Sequence, residues 1–530
     1  MVLPRVTVRL SCLNFMKKLL IPVISLIFLS GFVFADISVT PYGGAGTVSG
    51  SCFLVETDSA SVIIDCGIFM GNAEEPGGAE QKNAELDEKL IKADALVLTH
   101  AHIDHSGKIP LLIHKGFKGK IYSTEATKEL AIAMFKNRNG FDLIEREWFW
   151  SESQKLKAQA KNSSPVIHWT DFCKRNIKVV EYCGEKMSLS EVEKNQGVDF
   201  TLCRNCCETA AEGLAQYFVT VKYGQETVLP GGIKATFINA AHVPGSASIV
   251  LNVADKTILF SGDLGSGYSR LNGEFDIPQK ADMIFMEATY AAENSRFDMS
   301  AYEKFHDDLQ KALEQGKTVW IPSLAFNRTQ KVLYELKLMR KSGKLPKNIP
   351  VYSISTSANF LTSLYQKEAA KGEGDWFTKE VYDAKSVISK DVKLQMVRSY
   401  DKQMILMSSS GDLDMGRSKL LIPMLVPRKD VFIMIVNYAA PSSSAGKLLS
   451  GKKISKEIKK GATVKKYDIF SDHPDYPMLE KWLANQDKDA DIYLIHSEEK
   501  NIPKIKKLMR KKGWTNVKGA AAGEKALLRK

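Results

Sequence analysis

Histidine is scarce in this chain, with nine in 530 residues. No low-complexity tract, clear internal repeat or glycine-proline periodicity runs through it, which excludes collagen-like classes. Hydrophobic residues make up 44% of the chain, which excludes a disordered protein and allows a sizeable core. At roughly 100–200 residues per domain, the length implies about two to four units. Only one stretch, near the N-terminus, approaches a membrane span in apolar length.

Net charge is also missing from the middle of the chain. The net charge is +12, yet residues 36–450 carry 49 basic and 50 acidic side chains. Residues 1–35 contain Arg5, Arg9, Lys17 and Lys18 and no acid. Residues 451–530 hold 20 Lys and Arg against 11 Asp and Glu, including the run Lys504–Lys512. A solvated helix face and a surface that attracts polyanions are both consistent with that run. Charge alone does not name nucleic acid as the partner.

Met16, Lys17 and Lys18 precede an apolar stretch that ends at Val33-Phe-Ala35. This is the order of an export signal, with cleavage expected after Ala35 and Met16 as an alternative start. The same stretch could serve as an uncleaved membrane anchor, so localisation is expected to be periplasmic, secreted or membrane-anchored. Cys52 and Cys66 lie in strand-like runs and read as core. Cys173, Cys183, Cys203, Cys206 and Cys207 fall in a polar segment, about 150–214, that reads as an insertion. Two disulfides or a small zinc knuckle are both open there.

Short strand-like runs recur from Ile37 to Asp65. From Met299 the pattern alternates helix and strand, as α/β units do. The sharpest feature is His100-Ala-His102-Ile-Asp104-His105, directly after the apolar strand Ala95–Thr99. Alternation along the loop would turn His100 and His102 toward one metal, and Asp104 and His105 toward a second. Imidazole and carboxylate ligands suit zinc or a similar divalent ion. Three later fragments carry the same residue types after strands: Ala241-His242, Ser261-Gly-Asp263 and Ile495-His496. They can complete two four-ligand sites that share Asp263.

These motifs resemble the metallo-β-lactamase fold: Ile64-Asp65-Cys-Gly, His-x-His-x-Asp-His, His242 and Asp263 in order. More narrowly the chain is similar to the β-CASP branch of RNA- and DNA-processing nucleases. Glu287 with Ala-Thr-Tyr290, Phe470-Ser-Asp-His473 and Ile495-His496-Ser-Glu match that branch's later motifs. The segment Ile321-Pro-Ser-Leu-Ala-Phe-Asn-Arg-Thr-Gln330 matches its cap segment. Ser266, Asp412, Lys447 and Ser497 differ from the family pattern, and none is an implied ligand.

The resemblance implies an αββα sandwich, residues 36–295 and 441–530, interrupted by a smaller α/β cap at 296–440. It implies two zinc ions, one held by His100, His102 and His242, the other by Asp104, His105 and His496, with Asp263 bridging. It implies catalytic parts for Asp65 and Asp104, Asp65 orienting the histidine cluster. It further implies that Glu287 positions His473, which protonates the leaving oxygen. The expected substrate is RNA or another single-stranded nucleic acid, cleaved at phosphodiester bonds. A same-fold hydrolase of a small ester, thioester or lactam, and a non-catalytic nucleic-acid binder, are the alternatives. Membrane association through the N-terminal segment and a homodimeric state stay open.

Overall fold

The structure, a computed structural model, describes residues 37–70, 78–136, 180–182, 185–187, 211–293, 299–371, 390–391 and 403–528. The leader-like segment and the five clustered cysteines lie outside the described residues. Among the described residues, no helix is long and apolar enough to cross a membrane.

Two seven-stranded sheets form the body. The first runs, in spatial order, Ala526–Leu528, Ile37–Gly43, Cys52–Glu56, Ser61–Ile64, Ala95–Val97, Lys120–Thr124 and Phe218–Val221. The second runs Val517–Gly519, Asp491–Ile495, Met283–Glu287, Lys256–Phe260, Ala247–Val253, Lys234–Asn239 and Glu226–Val228. Many of these strands are unbroken apolar runs, because each sheet is covered on both faces. One core lies between the sheets and joins Val39, Phe53, Val55 and Val97 to Phe237, Leu251, Phe260 and Phe285. The Phe260 and Phe285 rings stack there with centroids 4.8 Å apart. A second core packs helix Glu125–Lys136 outside the first sheet. A third packs helices Tyr476–Trp482 and Ile502–Lys511 outside the second. This is the expected αββα order.

The inserted cap is a six-stranded sheet whose pairings are all parallel. Its order is Lys390–Asp391, Val351–Ser353, Ile405–Ser408, Thr318–Pro322, Val431–Ile435 and Thr463–Lys466. In the strand Thr318–Pro322, Val319 and Ile321 enter one core, and Trp320 enters the core on the opposite face. Helix Ser300–Glu314 buries Tyr302, Phe305, His306, Leu309 and Leu313, one apolar stripe at helical spacing. The last strand lies beyond residue 440, where the sequence motifs end the cap. Its pairing with Val431–Ile435 carries the cap layer to Lys466.

Candidate metal centre

The topology gathers the chemistry-bearing residues at one edge. Strands Ser61–Ile64 and Ala95–Val97 are parallel, and so are Lys256–Phe260, Met283–Glu287 and Asp491–Ile495. Asp65, His100, Asp263, Glu287 and His496 therefore sit at or just past C-terminal strand ends, where open α/β sheets form crevices. Asp65, Ala241 and His496 take positive φ angles of 58°, 53° and 49°. Such non-glycine residues cost of order 1–3 kcal/mol each and persist where the surroundings hold them. Close backbone approach is also built in at Gly67, where an added Cβ would lie 1.7 Å from the Asp104 carbonyl oxygen.

Three imidazole nitrogens converge. His102 Nδ1 lies 3.1 Å from His100 Nε2 and 3.1 Å from His242 Nε2. Asp263 Oδ2 stands 3.7 Å from His100 Nε2 and 3.6 Å from His242 Nε2. Asp104, His105 and His496 form a second group, with His496 Nε2 3.4 Å from Asp104 Oδ2. Asp263 Oδ1 faces this second group, 3.2 Å from His105 Nε2 and 3.7 Å from His496 Nε2, so the carboxylate stands between the two.

The outward nitrogens show which tautomers the site holds. Thr99 Oγ1 donates to Asp65 Oδ2 and lies 3.0 Å from His100 Nδ1, so it can accept from that ring. Thr289 Oγ1 donates to the His496 carbonyl and lies 2.9 Å from His496 Nδ1. His242 Nδ1 donates to the Asp472 carbonyl at 3.0 Å, and His105 Nδ1 to Asp65 Oδ2 at 2.7 Å. Each outward N–H is thereby spent, and the Nε2 atoms of His100, His105, His242 and His496 point inward. Lone pairs facing one another and a carboxylate repel unless a cation lies between them.

Electrostatics agree with that reading. Burial holds His100 well below the usual histidine range, lowers His102, and pulls His242 down to about 3. These rings stay neutral, the form that binds metal. Burial also opposes charge on His105, but Asp263 and Asp65 outweigh it and raise that ring well above its ordinary value. A cluster that draws in a proton accepts a cation in its place. Asp263 Oδ1 is buried and faces His105 Nε2 and His496 Nε2, the surroundings of a metal-binding carboxylate oxygen. The residues present therefore fit a cation-binding centre.

His473 stands beside this centre, its Nδ1 3.0 Å from Glu287 Oε1 and 3.9 Å from Asp263 Oδ2. Glu287 is fully buried and accepts the Leu264 N–H at 2.8 Å. Burial works against charge on His473, yet the Glu287 carboxylate prevails and pushes it up to about 10. The catalytic and metal-ligand candidates, Asp65, His100, His102, Asp104, His105, His242, Asp263, Glu287, His473 and His496, thus meet in one place. Sequence reasoning missed Thr99, Thr289 and Asp472, which act through a hydroxyl or a backbone carbonyl. Thr99 stands next to His100, and Thr289 and Asp472 lie inside motifs, but nothing in the sequence names their partners.

Body and cap enclose a cleft of about 840 Å³ over this centre. His102, Asp104, His242, Asp263, His473 and His496 line its floor, and Leu324, Phe326 and Tyr438 line the cap side. The Phe326 ring meets His102 edge-on at 4.7 Å.

Three family models match in the order the site requires. The metallo-beta-lactamase superfamily matches residues 45–172, the Beta-Casp domain residues 329–448, and the Zn-dependent metallo-hydrolase RNA specificity domain residues 457–518. The chain belongs to the β-CASP branch of the metallo-β-lactamase superfamily. Similar curated proteins agree with the assignment over nearly the whole β-CASP chain. A ribonuclease of Thermus thermophilus is 24% identical, covering 90% of this chain and 96% of its own. An RNase J-like protein of Methanocaldococcus jannaschii is 25% identical, covering 86% and 91%. The transcription termination factor FttA of Cenarchaeum symbiosum is 23% identical, covering 90% and 68%. A crystal structure of a protein of unknown function from Enterococcus faecalis shares the fold, with a TM-score of 0.50 at 11% identity, covering 93% of this chain and 100% of that one.

Proposed function

We propose that this β-CASP protein is a zinc-dependent ribonuclease that hydrolyses phosphodiester bonds of single-stranded RNA at a two-cation centre. His100, His102 and His242 would hold one zinc, and Asp104, His105 and His496 the other, with Asp263 between them. When bound, such a pair supplies Lewis-acid polarisation of the phosphoryl group and an ionised nucleophile near neutral pH. The observation that carries the reading is the convergence of imidazole nitrogens from His100, His102, His105, His242 and His496 around the buried Asp263 carboxylate.

The remaining steps fall to the chain's own side chains. Asp65 fixes His105 directly and His100 through Thr99, which sets the ligand tautomers. Glu287 accepts the Nδ1–H of His473, which leaves Nε2 facing the cleft as a proton donor to the leaving oxygen. The cap closes over the floor and limits water. Ribonuclease names among the relatives and the match to an RNA specificity domain support RNA as the polymer. The apolar stretch before Ala35 supports export, and N-terminal sequencing of the native protein tests it.

Cleavage of end-labelled single-stranded RNA by purified full-length protein tests the proposal. Asp104→Ala is expected to abolish cleavage. His473→Ala is expected to slow it by about 10²–10⁴-fold, the usual worth of a positioned proton donor. Full activity in both variants would contradict the reading.

A further inference from the structure

Asp472 precedes His473 and has no ligand role, yet its side chain is buried, with the residue only 6% exposed. A buried carboxylate is costly unless it is paired and hydrogen-bonded. Its partners all come from the first turn of the cap helix Arg328–Lys341 and the residue before it. Arg328 Nη2 lies 2.9 Å from Oδ2, and Lys331 Nζ lies 2.5 Å from Oδ1. Asn327 Nδ2 donates to Oδ1 at 2.6 Å. Positions 328 and 331 are three apart, so both cations share one helix face. Lys331 also donates to the Ser471 carbonyl at 3.3 Å.

The same cluster closes a ring through the metal centre. Asn327 Nδ2 donates to the His242 carbonyl at 2.9 Å, and the His242 ring donates to the Asp472 carbonyl at 3.0 Å. Asn327 sits at φ 61°, a left-handed position that starts the helix against the His242 loop. Asn272 holds the His242 carbonyl from the body side. Both the ring and the backbone of His242 are therefore tied to the contact between Asp472 and the cap. One residue further along the chain is His473.

We propose that Asp472 is a positioning residue, which makes the placement of His242 and His473 depend on docking of the cap helix. A cap that swings away would loosen one metal ligand and displace the proton donor together. A docked cap completes both. The inference rests on the reading of this centre as a metal-dependent nuclease.

Asp472→Asn in the full chain tests it, because the substitution keeps the shape but leaves Arg328 and Lys331 buried without a counter-charge. Zinc affinity, measured by competition with a chromogenic chelator, is expected to fall about 10–100-fold, the usual effect of removing a group that orients a ligand. The kcat on a short single-stranded RNA is expected to fall in the same range, with KM within about twofold, because ground-state binding is not what is lost. Asp472→Glu, which keeps the charge, is expected to recover part of both. Folded Asp472→Asn with wild-type zinc affinity and kcat would overturn the proposal. Should that variant not fold, Arg328→Lys keeps the charge and removes the fork. The same two losses are expected there, and wild-type values in it would overturn the proposal as well. Absence of RNA cleavage by the wild-type protein sinks the nuclease reading alone, since the zinc affinities still report on the clamp.

Discussion

The body and the cap bury charge in opposite ways. In the body, Asp104 and Asp263 share a small volume with His100, His102, His105, His242 and His496. The imidazole N–H groups that face outward are spent on threonine hydroxyls, a carboxylate and a carbonyl. What faces inward is a crowd of imidazole nitrogens and carboxylate oxygens. At the cap contact, Arg328 and Lys331 meet Asp472 directly, and the cations and the anion are already present in the chain. The first cluster is incomplete without a cation from solution. The second is complete on folding. The difference shows which buried polarity exists for chemistry and which exists to dock one layer on another.

The comparison breaks most sharply at Asp263, the carboxylate common to both ligand groups. Asp263→Ala is expected to cost about 10³-fold or more in kcat/KM, several kcal/mol of transition-state stabilisation. Zinc content, read by mass spectrometry, is expected to fall with it, and far-ultraviolet circular dichroism to stay unchanged. A smaller effect is expected at the cap. Lys331→Met leaves Arg328 on Asp472, so it removes one charged hydrogen bond and costs about 1.5–3 kcal/mol of stability. A loss is expected in chelated protein as well as in zinc-loaded protein, because the pair itself needs no metal. A destabilisation seen only in the zinc-loaded form would erase the distinction between the two regions. The smallest effect is expected from Thr99→Val and Thr289→Val. Each removes one hydroxyl that fixes a ligand ring, and each is expected to weaken zinc binding by about tenfold. Zinc affinity unchanged in both would mean that packing alone holds those rings.

Much of this arrangement was legible in the sequence, and the reasons are local. His100, His102, Asp104 and His105 cluster within six positions after an apolar strand, and few structural roles need that set. His242, Asp263 and His496 were readable because each closely follows a strand-like run. A strand was expected just before His496, and Asp491–Ile495 is found there. The parts played by Thr99, Thr289 and Asn327 were not legible, because a threonine or an asparagine shows no partner until the fold brings one near. Asp472 was visible within a motif, but its meaning depends on Arg328, which is 144 residues away in the chain. The end of the cap was not legible for a similar reason. Thr463–Lys466 is polar and carries two lysines, and only its pairing with Val431–Ile435 assigns it to the cap sheet.

The central claim is that the inward imidazole nitrogens surround two cation positions bridged by Asp263. Anomalous X-ray scattering at the zinc edge, from crystals of the natively purified protein, tests it most directly. The expected result is two peaks. One lies among His100 Nε2, His102 Nδ1 and His242 Nε2, the other among Asp104, His105 Nε2 and His496 Nε2, with Asp263 touching both. An empty cleft in a preparation that still cleaves RNA, or a metal bound away from these nitrogens, would contradict it.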